Sequence, residues 1–273
     1  MLAARRREEI LARLGQDGGV RVSDLVAALG VSDMTIRRDL AQLAEDGLLE
    51  KVHGGALALS EADAVTSATE PGFEAKSVRR LAEKEAIARH AASMVRPGWA
   101  IAVSAGTTTH ALARHLAAVP RLTVVTNSVW VADVLHHEAE PGSTVLLTGG
   151  QRTPSDALVG PMAVTALRSM HLDAAFLGVH GMDPDAGFTT PNLLESDTNR
   201  AMVASSRRLV VLADSTKWGT VALSSMAPLG AAHRLVTDVG LPTSAREQLG
   251  EAVEDLVVVD PADLPVDWRA DLA

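Results

Sequence analysis

VSDMTIRRDLAQLAEDGLLEKVHGGA, residues 31–56, holds the pattern on which the N-terminal fold turns. Ile36, Leu40 and Leu43 recur at spacings of 4 and 3 and make one apolar stripe on a helix. At about 100° per residue, Met34, Arg38, Ala41 and Glu45 lie opposite that stripe, with Thr35 and Arg37 on its flanks. Ser32 is placed to cap the helix and Gly47 to end it. Residues 48–56, LLEKVHGGA, read as two short strands about a turn, with His53, Gly54 and Gly55 giving a pliable entry to the second. Working upstream, Gly30-Val31 is a tight turn. Before it, Ser23 is expected to cap a helix with Leu25, Val26 and Leu29 inward. Residues 4–15 supply another helix, with Ile10, Leu11 and Leu14 on one face.

Three short helices and a hairpin describe a winged helix-turn-helix, whose third helix is narrow enough for the major groove of DNA. Near that helix's start, Thr35, Arg37 and Arg38 are the expected base or phosphate contacts, since an arginine fork matches a guanine edge. Ser32 and the helix N-terminus suit a phosphate oxygen, and Lys51 and His53 place the wing on the backbone or minor groove. Asp39 lies about 60° from the apolar stripe and is read as the structural partner of an arginine. The net charge of −9 opposes a nucleic-acid partner in general, but residues 1–57 carry eight basic and nine acidic side chains, so the acidity lies mostly beyond them. DNA binding then rests on a local patch, and a non-specific architectural binder with a broad basic surface is excluded.

Residues 58–72 lose periodicity and collect Ser, Thr, Ala and acidic residues, which marks a linker between a DNA-binding domain at 1–57 and a larger domain at 73–260. A helix over 77–95 is followed by apolar runs at 99–104, 123–127, 143–150, 173–181, 209–214, 234–238 and 255–260, most of them separated by helical stretches. That alternation implies an α/β domain with a mainly parallel sheet covered on both faces. Residues 261–273 form a tail without a readable pattern. There is no cysteine, which removes disulfides and thiolate chemistry. No apolar run is long enough for a membrane span, and the basic start lacks an apolar region behind it, so a cytoplasmic location is expected.

Gly106, Thr107, Thr108 and Thr109 fall between a strand end and a helix start, where N–H groups, helix dipole and hydroxyls favour an anion. Asn127, Gly149, Gly150 and Gly181 sit at other strand ends and converge on one pocket. The chain has 21 Arg and only four Lys, at 51, 76, 84 and 217, so each retained lysine is a candidate for a compact, tightly placed charge. Lys217 stands in Asp214-Ser215-Thr216-Lys217, directly after a strand.

The whole of residues 5–57 resembles the DeoR-type helix-turn-helix, whose hallmark is VS-x-x-TIRRDL-x-x-L followed by G-x-L and HGGA. Residues 74–240 resemble the same family's C-terminal domain, which is similar to ribose-5-phosphate isomerase and CoA-transferase-like folds. The carrying segments are EKEAIARHAASMV, SAGTTTHALA, TVVTNS, LLTGG, LVGPMA, DAAFLGVHGMD and LADSTKWG. The resemblance implies a repressor of a carbohydrate operon that binds operator DNA, senses a phosphorylated sugar, and works as a dimer or tetramer. It implies that Asp214 and Lys217 match an effector motif D-x-x-K, and that Lys84 and Lys76 hold the family's basic positions before the first strand. Ser104 belongs to the first loop, where the family has Asp-Ser and this chain Ser104-Ala105. His180 stands where an acid is common. Both departures bear on which sugar the pocket takes.

The nine histidines show no metal-binding spacing, so no metal or cofactor is expected. His115, His136 and His137 are read as surface residues, and His110 and His180 as a pair that approach each other. The competing reading is a sugar-phosphate isomerase with a DNA-binding arm, using Glu195 or Asp183 as base. With His180 and Ser104 in place of acids, it lacks a convincing acid–base pair.

Overall fold

The computed structural model describes residues 6, 7, 9–11, 13, 14, 18–45, 49–52, 54–57, 73, 77 and 79–268. Two of the expected site residues, His53 and Lys76, lie outside these, as do residues 58–72 and the last five of the tail. The chain divides into two compact units, Met1–Leu81 and Ala82–Ala273.

In the first unit the described residues within 6–14 are helical, and α1 (Val22–Leu29) and α2 (Asp33–Glu45) follow. Ile10, Leu11 and Leu14 pack with Leu25, Ile36, Leu40, Leu43 and Leu49, so the predicted stripe forms a core. Ser23 does not cap α1. The helix begins a residue earlier at Val22, and the Ser23 hydroxyl turns to Asp24 at 3.0 Å. Ser32 does cap α2, accepting the N–H of Thr35 at 3.3 Å. The wing strands β2 (Glu50–Val52) and β3 (Gly55–Leu57) pair antiparallel. A third strand, β1 (Gly19–Arg21), joins β3 on its other side. Gly55 is fixed by that pairing, because a Cβ there would stand 2.1 Å from the Val20 carbonyl oxygen.

In the second unit seven strands form one wholly parallel sheet in the order β15-β14-β12-β9-β4-β5-β6. They are β4 (Ala100–Val103), β5 (Thr123–Thr126), β6 (Thr144–Leu147), β9 (Ala174–Gly178), β12 (Leu209–Leu212), β14 (Arg234–Asp238) and β15 (Leu256–Val259). Each lies within one of the seven apolar runs. Alternation splits their side chains between two layers. Ile101, Val103, Ala174, Phe176, Val210 and Leu212 pack beneath α3 (Leu81–Ser93), α4 (Thr107–Leu116) and α5 (Val129–Glu138). Ala102, Ala175, Leu177 and Val211 face α6 (Pro161–Arg168), α7 (Leu193–Ala204) and α8 (Thr243–Ala252). A fully buried Leu or Phe in such a layer contributes about 1.5–3 kcal/mol, so this two-sided burial dominates the stability of the unit.

Shorter strands decorate this frame. β7 (Gln151–Arg152) and β8 (Leu158–Val159) make a hairpin, while β10 (Gly181–Asp183), β11 (Gly187–Thr190) and β13 (Ser224–Ala227) make a small antiparallel sheet. Between β12 and β14 there is no α-helix, only this last strand and two 3-10 turns. From β4 the order runs one way through β5 and β6, and from β9 the other way through β12, β14 and β15. The reversal between β4 and β9 is a topological switch point, where strand exits diverge and leave a crevice.

Candidate functional site

The crevice is assembled from loops at the carboxyl ends of the parallel strands. After β4, Ser104 is buried and its hydroxyl accepts the N–H of Gly178 at the end of β9, at 3.0 Å. The next N–H, of Ala105, donates to Asn127 Oδ1 at 2.8 Å, bringing in the end of β5. Gly106 then caps α4 with its backbone carbonyl, which accepts His110 N–H at 3.0 Å and the Thr109 hydroxyl at 2.9 Å. Thr108 and Thr109 are buried and Thr107 is half-buried at the start of the helix. The predicted anion loop therefore sits at the switch point, clamped by one residue from each neighbouring strand.

Beyond β9, the exit of β12 carries Asp214, which is buried and caps a 3-10 turn (Ser215–Lys217) through the N–H and hydroxyl of Thr216. Burial alone would raise the Asp214 carboxyl, but attraction to Lys217, the Thr216 hydroxyl and then Lys84 prevails and holds it below the ordinary carboxylate range. Lys84 is itself buried on α3. The charges of two lysines far apart in sequence thus act on one buried carboxylate at the strand-exit edge.

Asp238, at the end of β14, escaped the sequence reading. It accepts Ser215 N–H at 2.7 Å, the Ser215 hydroxyl at 2.9 Å and Gly240 N–H at 2.8 Å, and so anchors the turn carrying Lys217. Its signal was an acid ending a strand run, like Asp214. Glu85 was also missed. It is buried beside Lys84, bonded to His115 Nε2 at 2.5 Å and to Arg114 at 3.2 Å. Burial opposes its charge, but His115 and Arg114 outweigh this and lower its pKa. His115 is accordingly a half-buried tie between α3 and α4 and not a surface residue, whereas His136 and His137 are exposed.

The remaining predicted residues are placed as follows. Gly149 and Gly150 form the turn from β6 into the β7–β8 hairpin. Gly181 pairs with Thr189 in the small sheet, and a Cβ there would lie 2.0 Å from the Thr220 carbonyl oxygen. Its glycine answers to packing. Asp183 spends one oxygen on the N–H groups of Asp185 and Ala186, both at 2.9 Å, closing the turn to β11. Among the described residues no group of three His, Asp or Glu side chains is placed to hold a metal ion.

On α2, Asp39 is buried and takes a forked pair of bonds from Arg6, at 2.5 and 3.2 Å, the structural role read from its position on the wheel. Arg37 is exposed and paired with Asp33 at 2.5 Å. Ser32 and Thr35 share a hydroxyl bond of 2.8 Å. Arg38 is exposed, and its guanidinium has no partner among the described residues. The same holds for the Lys51 ammonium on the wing.

A winged helix-turn-helix on one chain with a doubly wound parallel sheet defines a regulator that binds DNA. Residues 79–239 match the DeoR C terminal sensor domain and residues 6–62 the DeoR-like helix-turn-helix domain. The chain belongs to the DeoR family of transcriptional regulators. It is 36% identical over 255 residues to a putative aga operon transcriptional repressor of Escherichia coli O157:H7, covering 93% of each chain. To the transcriptional regulator GlpR of Haloferax volcanii it is 34% identical over 261 residues, covering 95% of this chain and 98% of that one. Among solved structures, ribose 5-phosphate isomerase A from Methanocaldococcus jannaschii aligns over 50% of this chain and 53% of its own, with 15% identity and a TM-score of 0.36. No helix of the described residues is long and apolar enough to cross a membrane.

Proposed function

We propose that this regulator represses a carbohydrate operon and that a phosphorylated sugar, bound in the crevice, changes its affinity for DNA. The observation that carries this reading is the loop of Gly106 to Thr109 at the switch point, held by Gly178 and Asn127, on the strand-exit edge where Lys217 and Lys84 act on the buried Asp214. A phosphate brings about two negative charges at neutral pH and is buried at bearable cost only among cations and N–H donors. Gly106 to Thr109 supply the N–H groups and hydroxyls, and the two lysines supply the charge. Asn127 and Ser104 hold the loop in shape. Gly149, Gly150 and Gly181 shape neighbouring walls, and Lys76 is assigned to the same basic set.

Arg38, Arg37 and Thr35 are assigned to the major groove, Ser32 to a phosphate oxygen, and Lys51 and His53 to the backbone or the minor groove. One such module offers little contact area. Two or four copies on one DNA raise the effective concentration of each head, so the chain acts as a homo-oligomer. We take the sugar to be bound and not turned over, in keeping with a chain whose relatives are transcriptional regulators. The test is a thermal-shift screen of pentose and hexose phosphates, because a ligand of the folded state alone raises the melting temperature. A hit should alter a gel shift with DNA enriched from a random duplex pool and should be recovered unchanged. Absence of any stabilising phosphosugar would remove the reading.

A further inference from the structure

Glu195 stands at the third position of α7, behind the Asn192 cap, whose Oδ1 takes the N–H of Leu194 at 2.9 Å and of Glu195 at 3.2 Å. A glutamate here ordinarily folds back onto the N–H of the cap residue. Its carboxylate here accepts three hydroxyls. Thr153 donates to Oε1 at 3.1 Å, Ser155 donates to the same oxygen, and Thr190 donates to Oε2 at 3.2 Å.

These donors come from opposite flanks of the crevice. Thr153 and Ser155 belong to the β7–β8 hairpin, which is seated on the exit of β5 through Leu158 N–H to the Asn127 carbonyl at 2.7 Å and a bridge between Ser128 and Ala157. Thr190 follows Thr189, whose carbonyl takes the N–H of His180 just beyond β9, at 3.0 Å. β4, the strand that carries the anion loop, runs between β5 and β9. Glu195 therefore joins the two flanks of the strand that ends in Gly106 to Thr109.

We propose that Glu195 reads the hydroxyl groups of the sugar, at the end of the pocket away from the phosphate. This rests on the phosphosugar reading above. A carboxylate repels phosphate, so it does not share the end where Lys84 and Lys217 act. It accepts hydroxyls, and bonds to an ionised acceptor are roughly twice as strong as neutral ones. A sugar hydroxyl that replaces the Ser155 hydroxyl exchanges one O–H donor for another, so no charge is left unpaired. Ser155, released from Glu195, turns its proton to the Thr153 hydroxyl oxygen 2.8 Å away, and Thr153 goes on donating to Glu195. The same exchange loosens the hairpin from α7, so occupancy by a polyol, and not by phosphate alone, is sensed at β7–β8.

The experiment is titration calorimetry of the full chain with three probes: inorganic phosphate, methyl phosphate, and the tightest binder among a set of pentose and hexose phosphates. Wild type should prefer the phosphosugar over methyl phosphate. Glu195→Gln should lose about tenfold in phosphosugar affinity, the scale of one bond to a charged acceptor, and keep its affinity for methyl phosphate. An unchanged preference in Glu195→Gln overturns the proposal and leaves the phosphate site standing. A wild type that binds none of the three overturns both. Should Glu195→Gln not fold, Ser155→Ala decides, because it removes the competing donor. Phosphosugar affinity held or raised two- to threefold supports the exchange, and a tenfold loss refutes it.

Discussion

The Ser104 hydroxyl accepts the N–H of Gly178 at 3.0 Å and thereby ties the exits of β4 and β9 across the switch point. Ser104 is 1% exposed, so no water replaces it once it is gone. Ser104→Ala leaves the Gly178 N–H unsatisfied and should cost about 1–3 kcal/mol of stability. Chemical denaturation measures this, and a variant as stable as wild type would show that the tie contributes nothing.

Arg38 and Arg37 differ in what they do without DNA. Arg38 has no ion pair among the described residues, whereas Arg37 is held by Asp33. Arg38→Ala should weaken binding to an enriched duplex by about 1–3 kcal/mol, with Arg37→Ala costing less because its contact must be taken from Asp33. A salt-matched gel shift ranks the two, and a larger loss at Arg37 would reverse the assignment. Lys51→Ala should weaken all sequences alike and flatten the slope of log K against log salt by about 0.9. An unaltered slope would take the wing lysine off the phosphates.

The seven parallel strands were legible because each is an apolar run bounded by turns; the inner five are buried on both faces, while the edge strands β15 and β6 keep the apolar run although β15 is half-buried and β6 mostly exposed. So was α2, whose Ile36, Leu40 and Leu43 keep helical spacing. What was missed is short or polar. β1 is Gly-Val-Arg, β7 is Gln-Arg, and β13 is Ser-Ser-Met-Ala, none long enough to show a period of two. Sheet order decided the rest. Sequence put Asp214 at one strand end and Asp238 at another, but only the pairing of β12 with β14 makes them neighbours. His115 was misread because its partner Glu85 lies 30 residues away on another helix.

Gly55→Ala tests the wing without touching the sensor unit. The added Cβ meets the Val20 carbonyl oxygen at 2.1 Å, a backbone atom that moves only if β1 leaves β3. The variant should lose DNA binding while its phosphosugar affinity by calorimetry stays that of wild type. DNA binding at the wild-type level would mean that β1 is dispensable to the reading head.

The pH dependence of stability should carry the mark of His110. Burial pushes its pKa down to about 4, the positive charge of Arg114 adds to the effect, and Asp133 opposes it. In the unfolded chain the imidazole titrates near its ordinary value of about 6.5, so between about 4 and 6.5 the unfolded state binds the extra proton. The contribution of His110 is therefore present in full above about pH 6.5 and is lost as the pH falls towards 4. For a shift of this size the loss is about 3 kcal/mol at most. Glu85 and Asp214 work in the same direction but lower on the scale, because their carboxyls are held below the ordinary range and they lose their contribution only as the solution becomes acidic enough to protonate them. His110→Gln removes the titrating group, so its stability, followed by urea denaturation from pH 7.5 to 5, should fall less steeply than that of wild type. Equal slopes over that window would mean that His110 is protonated as easily in the fold as out of it.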